Sequence, residues 1–164
     1  MLPPWPGLNG LHPLVIHFPI ALLLVAPVFV LLAFIQPKRG ACFGLSALVM
    51  LVLGTAAAFV AVETGEAAAA LATKSETINA AIESHATLAE TARNLFAGLT
   101  ALYAVILAIP VVVKKFSTRT WVVVTNAVFL GLLLAGGVAL ANAAHRGGLL
   151  VHKYGVHAML PPGA

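Results

Sequence analysis

The chain contains no aspartate and a single cysteine, Cys42. The first absence leaves any acid–base chemistry to five glutamates and six histidines. The second excludes an intramolecular disulfide framework, and the lack of a Cys-x-x-Cys-His segment excludes a covalently attached c-type haem. Charge is also scarce, with 9% charged residues against 61% hydrophobic ones and a mean hydropathy of +1.03. A soluble domain of 164 residues cannot hide that much apolar surface. No zinc-hydrolase motif, phosphate loop or nucleophile elbow occurs, and the histidines show no His-x-Glu-x-x-His or His-x-x-x-His spacing. The net charge of +4 therefore reflects topology, not a nucleic-acid partner. No basic stretch precedes the first apolar run, so MLPPWPGLNGLHP reads as an extended arm and not as a cleavable signal peptide. Trp5 in that arm suits the headgroup level of a bilayer.

What is present is a set of four long apolar runs. A membrane helix needs about 20 apolar residues, and the runs predict spans over about 13–35, 41–62, 94–113 and 120–142. The expected fold is an all-α bundle of four transmembrane helices, forming one integral membrane domain over residues 1–164. Pro13 suits the first turn of the first helix; Pro19 and Pro27 fall inside it and free carbonyls that need other partners. The segment before the third span also has helical spacing. Ile78, Ile82, His85, Leu88 and Ala92 form one stripe, so the third helix is expected to begin near Ser75 and project beyond the bilayer, covering about 75–113. Gly54 to Ala58 on the second helix, and Gly131, Ala135, Gly136, Gly137 and Ala139 on the fourth, permit close helix packing. The residue identities show no convincing internal repeat.

Lys38, Arg39, Lys114, Lys115 and Arg119 are concentrated in the two short connections that lack acidic residues. The positive-inside rule assigns these connections to the cytoplasm. Both termini and the 63–93 segment then lie outside, on the periplasmic side of a bacterial inner membrane. All five glutamates and His12, His17, His85, His145, His152 and His157 share that side. The outer segments are longer than the inner ones, so placement weighs more than number. His17 lies one turn inside the first helix without a charged neighbour, and a buried imidazole needs partners for its N–H and its lone pair. His85 lies on the apolar stripe of the projecting helix. His12 precedes Pro13 and sits five residues from His17, so the two point in different directions. His145, His152 and His157 read as interfacial residues.

Two chemistries suit such a set. A b-type haem (heme b) takes two neutral imidazoles from different helices, and His17 with His85 is the expected axial pair, with His12, Arg146 and His152 as candidate propionate or quinone contacts. A copper or zinc ion takes three or four ligands, which His12, His17, His85 and Glu63 or Glu66 would have to supply. A third reading is a cofactor-free accessory subunit of a larger membrane complex, its helices filling a lipid-facing gap. With every candidate ligand near one face, electron exchange with a quinol or a partner protein at the outer surface is favoured over transfer across the bilayer. An electron-transfer subunit is expected in preference to a stand-alone enzyme.

The run Leu11-His12-Pro13-Leu14-Val15-Ile16-His17-Phe18-Pro19-Ile20, then Thr64-Gly65-Glu66-Ala67, then His85 and the tail from Arg146 to Val156, resembles the membrane family called domain of unknown function 2231. The resemblance covers nearly the whole chain. In the tail, the family pattern carries histidine where this chain has Tyr154 and tyrosine where it has His152, which argues against a ligand role there. Relatives joined to, or encoded beside, cytochrome c or iron–sulfur domains imply a redox setting, with such a protein as a partner on the outer face.

Overall fold

The computed structural model describes residues 7–72 and 75–156. Trp5, Lys74 and His157 lie outside the described residues. The described chain is helical throughout: α1 (Leu8–Val15), α2 (His17–Ile35), α3 (Gly40–Ala69), α4 (Glu76–Val112) and α5 (Arg119–His152), with single 3-10 turns at Pro37–Arg39 and Lys114–Phe116. Four stretches are long and apolar enough to cross a membrane: Gly10–Ile35, Gly40–Ala69, Glu76–Val112 and Arg119–His152. Large apolar side chains such as Leu24, Val28, Leu31, Val49, Val52, Val105, Val128 and Leu134 are exposed on the outward faces. Helices apolar all round are what lipid solvates. The chain is an integral membrane protein.

Three helix boundaries differ from those expected. The first helix begins at Leu8, not Pro13, so Pro13 lies inside α1 and His12 is a helical residue. The break falls later, at Ile16, because Pro19 has no N–H for the carbonyl of Val15 and the next bond, Ile20 N–H to Ile16 O, is long at 3.4 Å. The second helix continues from Val62 to Ala69, carrying Thr64 and Gly65 in helical register. The last runs ten residues past Asn142 to His152, so Ala143 to Gly148 belong to helix α5 and not to a tail. The start of α4 is as expected: the Ser75 hydroxyl accepts the N–H of Ile78 at 3.3 Å, satisfying one of the free donors of the first turn.

The helices alternate in direction. α2 packs on α3, α3 on α4, α4 on α5, and α5 returns to α2, closing a ring, while α1 packs on α3. The core between them contains Leu23, Ala26, Val30, Ala47, Leu51, Phe96, Leu99, Tyr103, Phe129 and Leu133. Polar side chains in this core are paired across helices. Thr55 and Thr100 hydroxyls lie 2.9 Å apart. Tyr103 donates to Asn126 Oδ1 at 2.9 Å, and Asn126 donates in turn to Val122 O at 2.8 Å.

The buried positions expose a repeat that residue identities conceal. Pro19, Leu23, Ala26 and Val30 are the buried residues of α2 that correspond, at a constant step, to Ala92, Phe96, Leu99 and Tyr103 of α4 (19 to 92, 23 to 96, 26 to 99, 30 to 103). The same step carries His12 onto His85. On the returning helices a second constant step carries Gly44, Ala47, Leu51 and Gly54 onto Asn126, Phe129, Leu133 and Gly136 (44 to 126, 47 to 129, 51 to 133, 54 to 136). Contacts repeat with the positions. A Cβ at Gly54 would meet Leu23, and one at Gly136 would meet Phe96, the counterpart of Leu23. The molecule is thus two helical hairpins, α1–α3 and α4–α5, whose buried positions and contacts repeat at constant sequence steps. This is the parallel-repeat arrangement known among membrane proteins. The absence of an internal repeat expected from residue identities is corrected here: only four of the nine pairs named above conserve the residue or its aliphatic or imidazole character, so the repeat survives as a packing pattern.

Candidate histidine site

The one-sided histidines resolve into a pair and several isolated residues. His12 sits on the inner side of α1, and its Nδ1 lies 2.9 Å from Ala61 O and 3.3 Å from Thr64 Oγ1 of α3. The Thr64 hydroxyl is buried and bonds to its own helix, to Val60 O at 2.9 Å and Ala61 O at 3.1 Å. In the second hairpin His85 Nδ1 lies 3.0 Å from Ala143 O of α5. A carbonyl only accepts, so in each ring Nδ1 carries the proton and donates. In the neutral imidazole, Nε2 then keeps its lone pair.

Each ring also rests on a glycine one helical turn beyond the carbonyl it bonds. A Cβ added at Gly65 would stand 3.0 Å from His12 Cε1, and one at Gly147 would stand 2.9 Å from His85 Cε1. Ala61 and Gly65 are carried onto Ala143 and Gly147 by the same step that relates the cores of α3 and α5. The repeated unit is therefore a histidine on the descending helix, with a carbonyl and a glycine on the ascending one. The two histidines come from helices that face each other across the ring, and their ring centres approach to 6.5 Å with planes inclined at 75°. Both are half-buried.

The other candidates stand apart. His17 is exposed, on a different side of the first span from His12. The ring that His85 meets is that of His12, not His17. Glu63 and Glu66 are exposed on α3, as are His145, Arg146 and His152 on α5. Among the described residues no three His, Cys, Asp or Glu side chains converge as an ion site would require. The set of His12, His17, His85 and Glu63 or Glu66 does not come together.

Sequence reasoning quoted Gly65 and Gly147 only as parts of the family pattern and gave them no role, missed the carbonyls of Ala61 and Ala143, and assigned His12 a secondary role. Helix-boundary errors explain this. With the first helix expected to start at Pro13, the second to end at Val62 and the last to end at Asn142, His12, Gly65, Ala143 and Gly147 fell outside the expected helices, and Ala61, one residue from the expected end of its helix, had no facing partner. The detectable signal was the shared step relating Ala61 and Gly65 to Ala143 and Gly147.

Comparison with protein families places residues 9–159 in a match to the family described as predicted membrane protein (DUF2231), and the chain belongs to that family. Comparisons with curated proteins and with solved structures find no match.

Proposed function

Starting from a four-span member of that family, we propose that the protein is a membrane electron-transfer subunit that holds one non-covalent b-type haem through His12 and His85. The observation that carries this reading is the pair itself. Two half-buried imidazoles from opposed helices have each committed Nδ1–H to a main-chain carbonyl, and no third ligand converges on them among the described residues. A bare copper or zinc ion wants three or four protein ligands. Haem iron takes four nitrogens from the macrocycle and needs only two axial side chains.

The residues suit that role in their chemistry. His12 and His85 would hold the group between them, their ring centres lying 6.5 Å apart. The Nδ1–H bonds to Ala61 O and Ala143 O select the tautomer, orient each ring and increase the basicity of Nε2, as the outer hydrogen bonds of metal-bound histidines do. Gly65 and Gly147 let the rings lie against their helices. When bound, the haem supplies reversible one-electron transfer. His12 and His85 would hold the group through Nε2, with Nδ1–H of each kept on a main-chain carbonyl. Electron exchange is with a quinol or a partner subunit at the histidine end. The basic end, carrying Lys38, Arg39, Lys114, Lys115 and Arg119, faces the cytoplasm under the positive-inside rule, which makes the histidine end periplasmic. In this reading His12 replaces His17 as the partner of His85, because His12 makes the paired contact and His17 is exposed.

The test is an oxidised-minus-reduced visible spectrum with a pyridine haemochrome assay on detergent-purified protein produced with haem available. The expected result is a b-type signal at about one haem per chain, lost in His12→Ala and His85→Ala and retained in His17→Ala. Absence of the signal in wild-type protein, or its persistence in both of the first two variants, overturns the proposal.

A further inference from the structure

The two hairpins share the histidine arrangement but differ beside it. Between the first turns of α4 and the last turns of α5 lies a cleft of about 270 Å³, lined by Thr77, Ala80, Ala81, Ser84, Arg146, Leu149 and Tyr154. Thr77, Ala80 or Ala81, and Ser84 recur at helical spacing, so they form one wall from a single face of α4. Arg146 and Leu149 form the opposite wall. Tyr154 closes the end because α5 terminates in a tight reversal. Gly155 adopts φ +63°, Tyr154 N–H bonds to Leu149 O at 3.2 Å, and Val156 N–H bonds to Leu150 O at 2.9 Å. This left-handed cap favours glycine.

The lining has one guanidinium, three hydroxyl groups and no carboxylate. The hydroxyls are uncommitted where their neighbours are not. Thr87 and Thr91, further along α4, bond back to Glu83 O and Thr87 O, whereas the hydroxyls of Thr77 and Ser84 make no side-chain bond among the described residues. Guanidinium and hydroxyl donors without a counter-charge suit an oxyanion, which accepts charge-assisted bonds from both. The floor of Ala80, Ala81 and Leu149 suits an attached apolar stem. The first hairpin lacks this chemistry: the steps that superpose the His sites place Leu11 opposite Ser84 and Thr64 opposite Arg146.

We infer that the α4–α5 cleft is an oxyanion-binding site, with Arg146 as the counter-charge and Ser84, Thr77 and Tyr154 as hydrogen-bond donors. It takes a phosphate or carboxylate group, borne by an anionic lipid headgroup or by a small free anion. The site abuts His85 and Gly147 in sequence, but its binding is independent of the haem reading and does not require the cofactor.

The experiment is isothermal titration of the full chain in nanodiscs of neutral phosphatidylcholine, with inorganic phosphate in one arm and dihexanoyl phosphatidylglycerol in the other. Saturable one-site binding is expected in at least one arm. It should weaken tenfold or more in Arg146→Gln, severalfold in Ser84→Ala and less than threefold in Lys153→Gln. The lysine variant matters because Lys153 lies 5.3 Å over the Tyr154 ring, outside the cleft lining. Binding in both arms assigns the site to the anionic group alone. Binding of only the lipid assigns it to a headgroup with its stem. No saturable binding in either arm overturns the inference, as does equal loss in Arg146→Gln and Lys153→Gln, which signals diffuse surface charge. Circular dichroism melts of each variant verify that the fold is retained.

Discussion

The hairpins α1–α3 and α4–α5 repeat one another in some respects and diverge in others. Both place a histidine against the carbonyl and glycine of the partner helix, and both bring a large apolar residue, Leu23 or Phe96, onto a glycine, Gly54 or Gly136. They part at the other end of the core, where the second hairpin has Tyr103 donating to Asn126 and the first has Val30 and Gly44 at the matching positions. They part again at the histidine end, where Ser84 and Arg146 line a cleft between α4 and α5 and the matching positions of the first hairpin hold Leu11 and Thr64. The shared features bring the two rings to 6.5 Å of each other with one arrangement used twice. The unshared features add hydrogen bonding and a ligand-sized recess to one side. The repeat thus accounts for the paired site, and departures from it mark specialised regions.

The equivalence of the halves is tested most severely at the glycines beneath the imidazoles. Gly65→Val and Gly147→Val each place carbon where His12 or His85 now lies, at 3.0 and 2.9 Å from Cε1 before the extra methyl groups are added. Under the proposed haem reading, both are expected to reduce haem binding tenfold or more, within the range for disturbed outer contacts of metal ligands, and by similar amounts. Pyridine haemochrome stoichiometry measures this, and a large effect in only one variant breaks the equivalence. Next come the packing glycines. Gly54→Ala brings a Cβ to 2.7 Å from Leu23 Cδ2 and 2.8 Å from its Cγ, whereas Gly136→Ala approaches Leu99 Cδ1 only to 3.1 Å. Overpacking costs about 1–3 kcal/mol, and the first variant is expected to exceed the second in denaturant titration of the detergent-solubilised protein. The unshared hydrogen bond is worth less. Tyr103→Phe should destabilise the bundle by about 0.6 kcal/mol, the average for membrane interhelical bonds, in the same titration. Ser75→Ala should cost about 1 kcal/mol locally, seen as faster hydrogen exchange of the Ile78 amide, with global stability nearly unchanged. Gly131→Ala has nothing within 4 Å of the added carbon, so it should be neutral or stabilising by up to about 1 kcal/mol through helix propensity.

The small residues on the returning helices illustrate how far sequence reading reaches. Composition predicted close packing along both stretches, but only contacts separate Gly136, where an added Cβ would meet Leu99 and Phe96, from Gly131, where it would meet no side chain within 4 Å. The same division applies to the histidines. His85 was legible because the stripe of Ile78, Ile82, Leu88 and Ala92 placed it inward, and all five residues are at least partly buried. His12 was not, because Pro13 marked a helix start. Proline at that position removes one backbone donor, and the local cost was outweighed by packing of α1 on α3.

By itself the sequence determined the solvent and the class of fold. Long apolar runs without compensating charge leave backbone groups no partners in lipid except those within a helix, so four spans followed from composition alone. The Ser75 cap and the basic connections were also local properties, readable from neighbouring residues. Which histidines meet, which glycines admit them and which hairpin has a cleft were decided only by the tertiary structure. Those relations join α1 to α4 and α3 to α1 across many residues. They depend on how helix faces rotate and how far each helix continues, and both are set by packing against the other helices.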